Sequence, residues 1–182
     1  MKLNIKDFAK VTSAVLALTY GQTAFGQTTD SQVFNVVVPQ LVSIVAPGTD
    51  TIDTNIPANQ VDGPMTFTGA NTWQCTCNDG AGATVQFVAQ DAFINPAGGT
   101  AVDADLTLAE SADPNNVWTV STATASTSGA GTTATVSAAS TAPGDGSFDL
   151  TVVFDNTGGL YADLVAGTYT MTVVGTISGN TP

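Results

Sequence analysis

Beyond Lys10 the chain has no lysine, arginine or histidine. The three basic residues, Lys2, Lys6 and Lys10, sit in the first ten positions, whereas fourteen of the fifteen acids follow, from Asp30 to Asp163. Each absence removes a class of function. Without side-chain cations the chain cannot displace counterions from nucleic-acid phosphates or dock on anionic lipid. Without imidazole, a Ser-His-Asp or Cys-His nucleophile has no base. Without lysine there is no Schiff base and no lysine isopeptide. Zinc sites draw on His or several Cys, and Cys75 and Cys77 are the only cysteines. Two carboxylates suffice for glycoside hydrolysis, but such clefts are also lined by aromatic and cationic groups, and aromatics make up 7% of this sequence. The expectation is a non-enzymatic protein with no catalytic residue, no cofactor and no metal, and with no nucleic-acid partner.

What is present begins with a leader. Lys2, Lys6 and Lys10 form a positive segment, 11–20 is a short and mostly apolar run, and Ala24-Phe25-Gly26 places small residues at −3 and −1 of a cleavage site. This is the pattern of a secretory signal peptide. The run is about half of the roughly 20 residues that span a bilayer. Cleavage between Gly26 and Gln27 leaves residues 27–182, 156 in number, which fits one domain. The expected location is secreted or cell-surface, the periplasm included, with no membrane anchor in the processed form.

The dominant signal beyond the leader has period two. Phe148, Leu150, Val152 and Phe154 alternate within 147–154, and Tyr169, Met171, Val173, Gly175 and Ile177 within 168–177. Shorter alternations occur at 64–69, 83–89, 105–108, 116–124 and 132–138. Each is bounded by turn residues, as strands are. The turns are 78–82, 127–131, 143–146 and 155–159, rich in Gly and Asn that supply positive φ cheaply. The 127–131 turn is expected to close a hairpin, and 161–167 could form one turn of helix. About nine strands with almost no helix predict an all-β fold, a single Ig-like or pilin-like antiparallel β-sandwich.

The first apolar segment, 33–47, reads as one long strand interrupted at Pro39, which has no N–H to donate to a ladder. It is expected at a sheet edge, running along one sheet and crossing to the other. The pair Cys75 and Cys77 could be a redox motif, a metal clip, a disulfide or buried apolar side chains. On a strand their Cα atoms lie about 6.6 Å apart on one face, whereas a disulfide needs Cβ atoms about 3.5–4.5 Å apart. Trp73 shares their parity and Gln74, Thr76 and Asn78 share the other, so the favoured expectation is two reduced thiols facing the core. Bonding to another chain is the other reading that secretion leaves open. Asp103 and Asp105 are the tightest acidic pair and the best oxygen-ligand candidates, but they lack the ligand count of a calcium loop and are expected on a solvated strand edge.

The closing stretch "AGTYTMTVVGTIS", 166–178, with Gly167, Tyr169 and the alternation to Ile177, resembles the last strand of secreted fimbrial-type β-sandwiches, the spore-coat-U-like domains and chaperone–usher pilins of bacteria. The resemblance covers about a dozen residues and the general layout. It departs where such domains join two distant cysteines or carry an aromatic near the C-terminus. It implies a surface or filament subunit. Elimination points the same way. The apolar first segment, with Phe34, Val36 and Val38 on one face, is the candidate strand-pairing interface. The expected partner is a second copy or another surface protein. The alternative is an extracellular ligand- or carbohydrate-binding module.

Overall fold

The structure, a computed structural model, describes residues 31–69 and 71–180. The segment expected to be a leader, with its expected cleavage point at Gly26 and Gln27, lies outside the described residues. The chain divides after Val38 into two units. The described part of the first, 31–38, has no regular secondary structure and is exposed throughout.

Among the described residues the second unit carries ten strands. In chain order they are β1 (Val42–Val45), β2 (Met65–Thr66), β3 (Thr72–Cys77), β4 (Ala83–Ala89) and β5 (Asp103–Ala112), then β6 (Trp118–Thr122), β7 (Thr124–Ser126), β8 (Ala134–Ser140), β9 (Gly144–Asp155) and β10 (Val173–Gly179). They form two antiparallel sheets. The larger runs β1-β3-β9-β5-β7, with β2 also paired to β9, and the smaller runs β10-β4-β8-β6. This is a β-sandwich. Single 3-10 turns occur at Pro57–Asn59 and Tyr161–Asp163, the second inside the segment expected to turn.

Alternation in the sequence becomes alternation in burial. In β3, Trp73, Cys75 and Cys77 are buried while Gln74 is exposed; in β4, Ala83, Val85, Phe87 and Ala89 are buried. Side chains of both sheets meet between the layers. Phe87 of the smaller sheet packs edge-on to Trp73, with ring centroids 5.1 Å apart, and lies 6.2 Å from Phe148 of the larger. Trp118 crosses from the smaller sheet to meet Phe148 edge-on at 5.5 Å. Edge-to-face contact suits the aromatic quadrupole. Met65, Phe93, Val102, Ala104 and Phe154 form a second buried apolar cluster.

Several strand limits differ from the sequence expectation, each for a physical reason. Residues 143–146 do not end a strand: β9 begins at Gly144. Gly144 and Gly146 stand in register with Cys77 and Cys75. A Cβ on Gly146 would lie 2.9 Å from Trp118 Cδ1, so glycine here admits the indole rather than a turn. The 127–131 turn does not close a hairpin. It links β7, paired to β5, with β8, paired to β4 and β6, so it passes between the sheets. The stretch 118–126 also changes sheet, at Ala123, whose carbonyl accepts the Leu108 N–H. The long first strand shrinks to β1, at the edge of the larger sheet, and β10 starts at Val173, with only a bridge between Thr170 and Ile94 before it.

Candidate functional site

The sequence-derived interface residues Phe34, Val36 and Val38 are 82%, 87% and 73% exposed, and Val33 and Val37 are 77% and 89% exposed. Among the described residues no strand pairs with 33–38. Five large apolar side chains in six consecutive residues therefore face solvent. Fully burying one such side chain is worth about 1.5–3 kcal/mol, which makes the run a candidate interaction surface. The segment 31–49 holds no charged residue.

Among the described residues five strands of the sandwich have one unpaired edge. In the larger sheet these are β1 and β7, of four and three residues, and β2, of two, which pairs only with β9. In the smaller sheet they are β6, whose register shifts between Val120 and Thr122, and β10, whose seven residues pair with β4 without a break. Charge is divided unevenly between the sheets. The strands of the larger one carry Asp103, Asp105, Glu110, Asp145, Asp149 and Asp155, and those of the smaller one carry no acid. That asymmetry was readable in the sequence only once strands were assigned to sheets.

The acidic pair lies in β5, an interior strand between β9 and β7, rather than at an edge. Asp103 Oδ1 accepts from the Gly129 N–H at 2.5 Å and the Thr127 hydroxyl at 3.2 Å, and Asp105 Oδ1 accepts from the Ser126 hydroxyl at 2.5 Å. These carboxylates tie the 126–129 segment to β5. Among the described residues no three His, Cys, Asp or Glu side chains group as a metal site.

A cleft of about 1340 Å³ opens in the second unit. Periodicity gave no sign of it, because it forms where β1 ends at Val45 and irregular chain, 46–55 and 164–172, comes together. Phe67 stacks on Phe93 at 5.6 Å and Tyr169 meets Phe154 edge-on at 5.4 Å. At its rim Asp50 accepts from the Gly69 N–H at 2.8 Å. The Tyr169 hydroxyl accepts from the Val165 N–H at 3.2 Å.

Cys75 and Cys77 are free and buried, as the parity of β3 requires. The Asp79 N–H donates to Cys77 Sγ at 3.3 Å. Desolvation by burial pushes the Cys75 thiol from 9.0 up to about 12. Its proton is therefore lost more readily from the unfolded chain. The associated stability is fully present below about pH 9 and is lost as pH rises toward about 12. The urea midpoint is expected to fall from about pH 8 to about pH 10.5, and to fall less in Cys75→Ala. Equal profiles would contradict this. Maleimide should label neither thiol quickly in the folded protein and both after denaturation.

No family model matches the chain, and no curated protein or solved structure matches it.

Proposed function

We propose that the protein is an exported, non-enzymatic structural or cell-surface subunit, akin to the fimbrial-type sandwiches its last strand resembles, that associates through β-strand pairing. The observation that carries this is the exposed apolar run 33–38, attached to a sandwich whose sheets end in open edges. An added strand gains main-chain hydrogen bonds from the edge and buries alternate side chains. The composition supports the non-enzymatic part: past the leader there is no His, Lys or Arg to act as base or electrophile.

Fourteen acids without side-chain cations repel neighbouring copies. Association is therefore expected to strengthen with salt, since the Debye length shortens from about 30 Å at 0.01 M to about 8 Å at 0.15 M. Light scattering of residues 27–182 across that range checks it. Scattering that is constant, or that falls with salt, would count against pairing between like-charged copies.

A second function, an extracellular ligand-binding module, is favoured by the aromatic cleft. Its volume exceeds the roughly 300–1,000 Å³ of ordinary ligand sites. Saturable, one-to-one uptake of an uncharged fluorescent dye by the unassociated protein would favour it; uptake that appears only with association would not.

A further inference from the structure

We infer that the cleft takes an amphiphilic organic cation, a ligand with an aromatic or aliphatic body and an amine or quaternary ammonium head. The inference rests on the ligand-binding reading given above and names the class of ligand for that cleft. Floor and rim differ in chemistry. At the floor Met65, Phe93 and Phe154 are buried, and Phe67, Leu164 and Met171 pack against them while staying partly exposed. Phe67 lies on Phe93 with the ring planes 3° apart. Such a surface gains by covering an apolar body and offers nothing to a charged one. The volume, about 1340 Å³, admits an elongated body.

Charge decides the head. Asp50 and Asp53 line the cleft from the stretch 46–55, and no described residue is a lysine, arginine or histidine. A carboxylate or phosphate on the ligand would meet like charge with no counter-ion. A cationic head meets the opposite: carboxylates, and aromatic rings whose quadrupole attracts cations. Asp50 is held ready for it. Its Oδ1 accepts from the Thr51 N–H at 2.8 Å, and its Oδ2 from the Gly69 N–H at 2.8 Å and the Asn71 side-chain amide at 3.4 Å. An ionised carboxylate offers about four acceptor sites, so three donors fix it in place and leave room for an ammonium N–H. Glycine at 69 permits this arrangement, because a Cβ there would lie 2.5 Å from Asp50 Cγ. Asp53 Oδ1 accepts from the Asn55 N–H at 2.9 Å and its side-chain amide at 2.8 Å, which anchors the second carboxylate on the same stretch. At 0.15 M salt the Debye length is about 8 Å. Acids farther off than that are screened, and the head is read mainly by the acids of the cleft.

A matched set of fluorescent probes tests the ligand class: uncharged diphenylhexatriene, the same body carrying a trimethylammonium group, and the same body carrying a propionate. Each is titrated into residues 27–182 at low protein concentration in 0.15 M salt. The cationic probe should bind at least about tenfold tighter than the uncharged one, and the anionic probe most weakly. Asp50→Asn keeps the size of the side chain and one acceptor oxygen, and should bring the ratio of cationic to uncharged affinity close to one. Because Asp50 also holds Gly69, that variant could disturb the rim, and Asp53→Asn supplies a second readout in which the ratio should fall at least about twofold. Asp145→Asn removes the same charge from an exposed position on β9 outside the cleft and should leave the ratio unchanged. A cationic probe bound no tighter than the uncharged one, a ratio that neither cleft variant lowers, or one that Asp145→Asn lowers as far as Asp50→Asn does, would overturn the inference while leaving the cleft a ligand site. Binding of none of the three probes would instead overturn the ligand-binding reading on which the inference rests.

Discussion

Phe87→Ala is expected to destabilise the sandwich by about 3–5 kcal/mol, the range for deleting a fully buried phenyl group. Phe87 has no exposed surface and lies in the middle of β4. It touches Trp73 and Phe148 of the opposite sheet, so its removal leaves a cavity between layers that paired backbones on both sides prevent from collapsing. Domains of this size are stable by about 5–15 kcal/mol in total, so the loss is a large share. The urea midpoint should drop by roughly 2 M at an unchanged slope. A fall of less than about 1 kcal/mol, below the range for such a deletion, would mean that the two sheets do not pack through this ring.

Two N-terminal deletions are expected to behave in opposite ways. Removing 27–38 takes away only exposed side chains among the described residues, so the midpoint should stay within about 0.5 kcal/mol of the parent, while self-association is lost. Removing 27–46 also takes β1. Val42 and Ile44 pack against the core, and buried aliphatic side chains cost about 2–5 kcal/mol each when truncated. Deleting β1 also uncovers one side of β3, where Ser43 pairs with Thr76 and Ile44 with Cys75. The longer deletion is therefore expected to prevent folding or nearly so. Circular dichroism and sedimentation on the same two proteins separate the effects. Folding equal to the parent in both, or association retained by the shorter deletion, would contradict this division of labour.

The sandwich was legible because inward-facing positions are apolar at every second residue in β3, β4 and β9 and in β8 as far as Ala138. Trp73, Cys75 and Cys77 illustrate it: parity alone placed them inside, and they are inside. What periodicity could not convey was which strand lies beside which. The 127–131 turn has hairpin composition but joins strands of different sheets, because β7 pairs with β5 and not with β8. Gly144 and Gly146 look like turn residues and are strand residues that make room for Trp118. The candidate interface was half legible. The apolar run around Phe34, Val36 and Val38 stands out in the sequence. Its length as a strand was overestimated, since Pro39 separates it from β1 and the ladder takes up only Val42–Val45. Which strands end each sheet depends on sheet order, which no local pattern records.

The most direct test is negative-stain microscopy of purified residues 27–182 at raised salt, beside the same protein lacking 27–38. Filaments or sheets from the first and dispersed single particles from the second are predicted. Single particles from both, at every salt and protein concentration tried, would contradict a subunit that assembles by strand pairing.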